Sequence, residues 1–262
     1  MAGRGEGPMT AAAGDGGAVT PATAEVHVFV DDLAVPRLAP EDRHHVVRVL
    51  RLRPGAAVTV ADGHGRWRAA RLTGDGEVEP VGDVVADPAP SPPLTVAFAL
   101  VKGDRNALVV QKLTELGADR IVPFVAERTV VRPDAAKAER LHRRLVEIAR
   151  QAAMQCRRTR LPRVEPVATF AAAAALPGAA LADAAGGPPS LARPTVLVGP
   201  EGGWSPAERR TGLPTIRLGP HTLRAETAAI TACALLAALR DGSIAEIAQD
   251  PTTGGIEPVE PS

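Results

Sequence analysis

Leu197-Val198-Gly199-Pro200-Glu201-Gly202-Gly203-Trp204-Ser205 and Leu218-Gly219-Pro220-His221-Thr222-Leu223-Arg224-Ala225-Glu226-Thr227 repeat one pattern. In each, a short run rich in β-branched residues (Thr195 to Val198, then Thr215 to Leu218) ends in Gly-Pro, and a helix-starting signal follows. Ser205-Pro206 with Glu208 supplies an N-cap, a proline at the first helical position and an acid in the first turn. Two adjacent strands whose carboxyl ends open into such loops predict an α/β sheet with a ligand crevice there. Gly199, Gly202, Gly203 and Gly219 carry no Cβ, so backbone can approach a ligand closely.

The same residues exclude some ligands. No Lys-Ser/Thr pair follows the glycines, so the loop is not a P-loop, and it is not GxGxxG either. Glu201 would repel a pyrophosphate; a neutral or cationic ligand fits better. Two ordinary strand–helix turns remain an alternative, since Gly-rich loops are weak signals.

The chain has 262 residues, enough for one large or two modest domains. Aromatic residues are 2% with no Tyr, so the core must be aliphatic, and stacking platforms of the RRM or OB type lack their residues. Two cysteines, Cys156 and Cys233, suit neither a disulfide framework nor a metal site. No apolar run reaches membrane-spanning length and no signal peptide is evident, so a cytoplasmic protein is expected. A net charge of zero hides segregation. Arg37 to Arg71 holds eight Arg against three acids, and Lys137 to Arg163 nine basic residues against two acids. Two basic blocks in one neutral chain point toward a polyanion.

In chain order, residues 1–23 are Gly-, Ala-, Thr- and Pro-rich and expected to be disordered. Over 24–86, several short strands and one helix opened by Pro40-Glu41-Asp42 predict a small β-barrel. That helix should turn Val46, Val47 and Leu50 inward and His44, His45, Arg48 and Arg51 outward. The adjacent histidines point about 100° apart, which disfavours a shared metal. A Pro-rich linker spans 87–93. Residues 94–241 alternate strand and helix, the α/β pattern. The spacing predicts helices over Asp104 to Leu116, Asp134 to Cys156 and Ala225 to Leu239, a strand from Ala179 to Leu181, and an extended piece from Glu127 to Arg132. An acidic flexible tail, 242–262, follows.

GPEGGWS followed by LGPHTLRAETAA resembles the C-terminal signature of the SPOUT methyltransferases, and more narrowly the RsmE family of 16S rRNA uridine N3-methyltransferases. Three earlier stretches agree in order: His44-His45-Val46-Val47-Arg48-Val49-Leu50-Arg51, Lys102-Gly103-Asp104-Arg105 with Gln111 to Gly117, and Gln155-Cys156-Arg157-Arg158-Thr159-Arg160-Leu161-Pro162. The resemblance implies a PUA-like RNA-binding barrel ahead of a trefoil-knotted α/β methyltransferase domain, acting as a homodimer on 16S rRNA or the small ribosomal subunit. It implies S-adenosylmethionine held by Leu197, Gly199, Pro200, Glu201, Gly202, Gly203, Leu218, Gly219 and Leu223. It offers Arg224 and Glu226 as catalytic candidates. RNA contacts are expected at His44, His45, Arg48, Arg51, Lys102, Arg105, Gln155 and Arg158. No metal is expected. Alternatives are a 2′-O-ribose methyltransferase of the same superfamily, or an RNA-binding assembly protein without catalysis.

Overall fold

A computed structural model describes residues 18–246; the remainder of the expected disordered N-terminus, 1–17, and of the expected tail, 247–262, lies outside the described residues. Residues 18–23, expected to be loose, instead turn: Ala24 N–H bonds the Thr20 carbonyl at 2.9 Å and its side chain is buried. The chain divides into two units, one ending at Asp62 and resuming over Trp67–Val85, the other comprising Gly63–Arg66 and everything from Ala86.

In the first unit β1 (Val26–Phe29), β2 (Ala57–Ala61), β3 (Arg66–Leu72) and β4 (Val78–Ala86) form a sheet in the order β1-β2-β3-β4. β1 and β2 run parallel, and β2 and β3 antiparallel. The β2–β3 turn uses Gly63 and Gly65 at φ of 76° and 95°, a region where a Cβ is strained. Between β1 and β2 lies α1 (Pro40–His44), begun by its proline and two first-turn acids. It runs on as a π-turn, His45–Val49, in which Leu50 N–H reaches the His45 carbonyl at 2.9 Å. The wider turn rotates the faces. Val46 is buried and Val47 half-buried, but Leu50, expected inside, is exposed. Arg51 then adopts a φ of 54°, which ends the helix.

The second unit holds seven strands: β5 (Thr95–Ala99), β6 (Arg120–Val125), β7 (Arg163–Val164), β8 (Ala168–Thr169), β9 (Ala179–Gly187), β10 (Thr195–Val198) and β11 (Thr215–Ile216). They form a parallel sheet ordered β11-β9-β10-β5-β6-β7, with β8 also paired to β6. Central strands covered on both faces explain the unbroken apolar runs. Val96, Phe98, Val196 and Val198 face one core with Leu113 of α2 (Arg105–Glu115), Leu145 of α3 (Ala135–Gln155) and Leu236 of α6 (Ala225–Arg240). Ala97, Ala99 and Leu197 face the other, with Phe124, Trp204 and Ala173 of α4 (Phe170–Ala174).

Three expectations need correction. β10 and β11 are not neighbours, because β9 stands between them. β9 runs to Gly187 instead of stopping at Leu181; its second half, Asp-Ala-Ala-Gly-Gly, has no β-branched residue to announce a strand. Glycine is nonetheless required there, since a Cβ on Gly186 would lie 2.5 Å from the backbone of Ile216 in β11. The stretch after β6 is a turn rather than an extended piece, closed by Thr129 N–H on the Ala126 carbonyl at 3.1 Å.

Candidate active site

A cavity of about 300 Å³ opens at the carboxyl ends of β10 and β11, beside the middle of β9. The Gly199 loop gives it one wall, the Gly219 loop another, and Ala182, Asp183 and Ala184 a third. Arg209 of α5 (Pro206–Arg209) and Ala225 and Ala228 of α6 complete it. The two loops quoted from the sequence therefore enclose one space, although a strand separates their parents.

Of the expected cofactor residues, Gly199, Pro200, Glu201, Gly203, Leu218, Gly219 and Leu223 line this cavity. Leu197 does not: along a strand alternate side chains oppose, so it enters the core while Val198 lines the wall. Gly202 faces Arg128, whose Nη1 donates to the Gly202 carbonyl at 3.0 Å.

Trp204 forms the floor. Its Nε1–H donates to the Ala182 carbonyl at 2.9 Å, and its ring stacks parallel to Phe124 at 6.3 Å. A Cβ on Gly199 would come within 3.1 Å of that indole, so glycine keeps loop and floor together. Next to it the expected cap is a full capping box. Ser205 Oγ accepts from Glu208 N–H at 3.2 Å, and Glu208 Oε2 accepts from Ser205 N–H at 2.8 Å. Glu208 Oε1 also accepts from Glu127 N–H at 2.8 Å, tying the cap to the turn after β6.

Arg224 is the N-cap residue of α6; its side chain is exposed and, among the described residues, has no hydrogen-bond or ion-pair partner. Glu226 sits in the first turn of α6, only 8% exposed. Its oxygens lie 3.4 and 3.3 Å from Arg105 Nη1, and the same nitrogen is 3.2 Å from Glu201 Oε1. One guanidinium nitrogen thus serves two carboxylates. Asp183, which sequence reading missed, pairs with Arg209 at 2.5 Å. The signal for Asp183 would have been the strand around it, which its small neighbours concealed.

His44, His45, Arg48 and Arg51 are exposed in the first unit, and Lys102 and Gln155 in the second. Arg158, expected to touch RNA, has another task. It donates to the Thr114 and Ala118 carbonyls at 2.8 and 2.9 Å, and Asp119 lies 3.7 Å away. Burial pushes its guanidinium below the ordinary value, while Asp119 pulls the other way. Thr114 lies in the last turn of α2, where its carbonyl also takes the Gly117 N–H at 3.2 Å, and Ala118 lies just beyond; a buried cation is a suitable cap there. We expect Arg158→Ala to lower stability by about 2–4 kcal/mol in denaturant melts, through a lost carbonyl cap and a broken buried pair.

Neither cysteine is poised for attack. Burial raises the Cys156 thiol, and pushes that of Cys233 up to about 12. A thiol pKa raised by folding adds stability that is whole below the unfolded value near 9.0 and is lost progressively as pH climbs toward 12. Iodoacetamide at pH 7.5 should therefore leave Cys233 unlabelled in the native protein and label it after denaturation, as read by peptide mass. Among the described residues no group of three or more His, Cys, Asp and Glu side chains could hold a metal, and no helix is long and apolar enough to cross a membrane.

Residues 88–237 match the RNA methyltransferase domain family, and residues 38–79 the RNA methyltransferase PUA domain family. The class is thus an RNA methyltransferase carrying a PUA domain. The chain is 33% identical over 234 residues to ribosomal RNA small subunit methyltransferase E of Mycobacterium bovis, covering 79% of this chain and 87% of the relative. The Bacillus subtilis protein of that name is 30% identical over 219 residues, 73% of this chain and 85% of the relative. The structure of the Neisseria gonorrhoeae protein bound to S-adenosyl methionine superposes with a TM-score of 0.68 at 29% identity, over 82% of this chain and 97% of that one. A methyltransferase from Legionella pneumophila in complex with the same cofactor gives 0.69 at 29% identity, over 81% and 96%. The chain belongs to the ribosomal RNA small subunit methyltransferase E family.

Proposed function

We propose that this chain methylates N3 of a decoding-region uridine in 16S rRNA, within the small ribosomal subunit, using S-adenosylmethionine. The observation that carries the reading is the single cavity enclosed by both glycine loops. Its volume of about 300 Å³ suits a small ligand. Its wall is backbone-rich, with the acids Glu201 and Asp183, which suits a cationic donor better than a polyphosphate. Gly199, Pro200, Glu201, Gly203, Leu218, Gly219 and Leu223 would hold the donor, with Leu197 and Gly202 supporting them from behind. When bound, it supplies an electrophilic methyl group on a sulfonium.

Displacement at that methyl needs a nucleophile held in line, so positioning supplies much of the rate. Uridine N3 carries a proton and attacks poorly until it leaves. Arg224, exposed beside the second loop and unpaired among the described residues, stabilises the developing uracil anion. Glu226 is our candidate proton acceptor; its pairing with Arg105 keeps the carboxylate ordered. His44, His45, Arg48, Arg51, Lys102 and Gln155 would meet the RNA, largely at phosphates, which position it without reading sequence. Arg105 would reach it only at the edge of its ion pairs.

The finer architecture belongs to the same proposal. The first unit curls into a PUA-like barrel. The segment after β11 threads a loop to make the trefoil knot, in keeping with α6 packing on β5 and β10 although β11 lies beyond β9. The enzyme works as a cytoplasmic homodimer.

The test uses purified protein, donor and small subunits from cells lacking it. N3 methylation blocks the Watson–Crick edge, so we expect a new reverse-transcription stop at one uridine and 3-methyluridine in the digested RNA. An alkali-resistant linkage instead would indicate ribose methylation, and no incorporation would leave an RNA-binding assembly protein.

A further inference from the structure

The charges around the cavity are not paired one to one. Among the described residues Asp183, Glu201 and Glu226 draw their ion pairs from the guanidinium groups of Arg209 and Arg105, while Arg224 stands exposed at the start of α6 without a carboxylate partner. The distribution is uneven. Asp183 has Arg209 to itself at 2.5 Å. Glu201 and Glu226 share one nitrogen of Arg105, at 3.2 and 3.3 Å, so neither forms the two-pronged contact that an arginine can give a carboxylate. Of this pair Glu226 is closed in, its side chain 11% exposed, whereas that of Glu201 is 45% exposed and lines the cavity. The less compensated of the two carboxylates therefore faces the ligand, and it is Glu201. The positive end of α6 opposes it only in part, because Glu226 occupies that helix's first turn.

Methyl transfer changes the charge of the molecule bound here. The donor carries a sulfonium, an ammonium and a carboxylate, and is net positive. The product, S-adenosylhomocysteine, has a neutral thioether in place of the sulfonium and is net neutral. Their shapes differ by one methyl group. We propose that Glu201 is the specificity-determining residue that favours the charged donor over the spent product, and that Arg105 sets the strength of that preference by dividing its charge between two carboxylates. This rests on the donor reading above and adds how the site empties. Loss of the sulfonium charge weakens the hold of Glu201 and promotes release of product.

The experiment is calorimetric titration of the full chain with S-adenosylmethionine and, separately, S-adenosylhomocysteine, needing no RNA and no turnover. Glu201→Gln keeps shape and removes the charge. It should weaken donor binding about five- to tenfold, as expected for one largely water-screened charge pair, and change product binding less than about twofold. The double variant R105Q/E226Q removes one charge of each sign. It should keep or increase the preference for donor, which a purely structural role of this triad would not predict. Equal weakening of both ligands by Glu201→Gln, or no effect on either, would overturn the inference while leaving the donor reading intact. Failure of the unaltered protein to bind either ligand would overturn that reading, and this inference with it.

Discussion

Arg224→Ala is expected to lower methyl transfer by about 10²–10³-fold while the donor still binds, the loss typical for one group that stabilises charge only in the transition state. The exposed guanidinium makes this variant easy to read, because among the described residues no ion pair breaks when it is removed. Single-turnover incorporation into small subunits measures the rate, and calorimetry the donor. Arg224→Lys should restore part of the rate, since it keeps the charge and loses the planar fork. Parallel loss of rate and donor affinity would instead place Arg224 on the cofactor wall.

Trp204→Ala should have the largest effect on the fold. The indole is 4% exposed, stacks on Phe124 and carries the bond to the Ala182 carbonyl. Truncating a buried aromatic of this kind costs about 3–5 kcal/mol. Donor affinity should fall as well, since the floor under Gly199 would be gone. Trp204→Phe separates the two contributions: it keeps an aromatic ring and forfeits one hydrogen bond, about 1 kcal/mol. Equal stability of the alanine variant in denaturant melts would mean that the floor carries no load.

The α/β character of the second unit was legible because its central strands are runs of apolar residues and its long helices show in the spacing of theirs. Thr195–Val198 appears as a strand at its expected bounds, and Ser205 as an N-cap. What escaped were features settled by tertiary contact. The second half of β9 is small and polar, and pairs only because β11 lies close enough to demand glycine. The π-turn at His45 keeps Val46 and Val47 inward but turns Leu50 out, which no helical periodicity reveals. At the site, glycines and Pro200 could be placed because a bend was predicted there. Asp183 could not, since its importance comes from lying part-way along β9, beside the cavity. Arg158 was misread for a related reason. A basic block gives charge but not direction, and this arginine turns inward to cap α2.

The central claim is that both glycine loops hold the methyl donor, and Gly219→Val tests it most directly. A Cβ there meets nothing within 4 Å and the backbone is not left-handed, so the fold should tolerate the substitution. Yet Gly219 lines the cavity, and the added side chain would enter the donor's space. Calorimetric titration with S-adenosylmethionine should show binding to the unaltered chain and at least a tenfold or so weaker affinity in the variant, at an unchanged melting temperature. Donor binding of equal strength in both proteins would contradict the account.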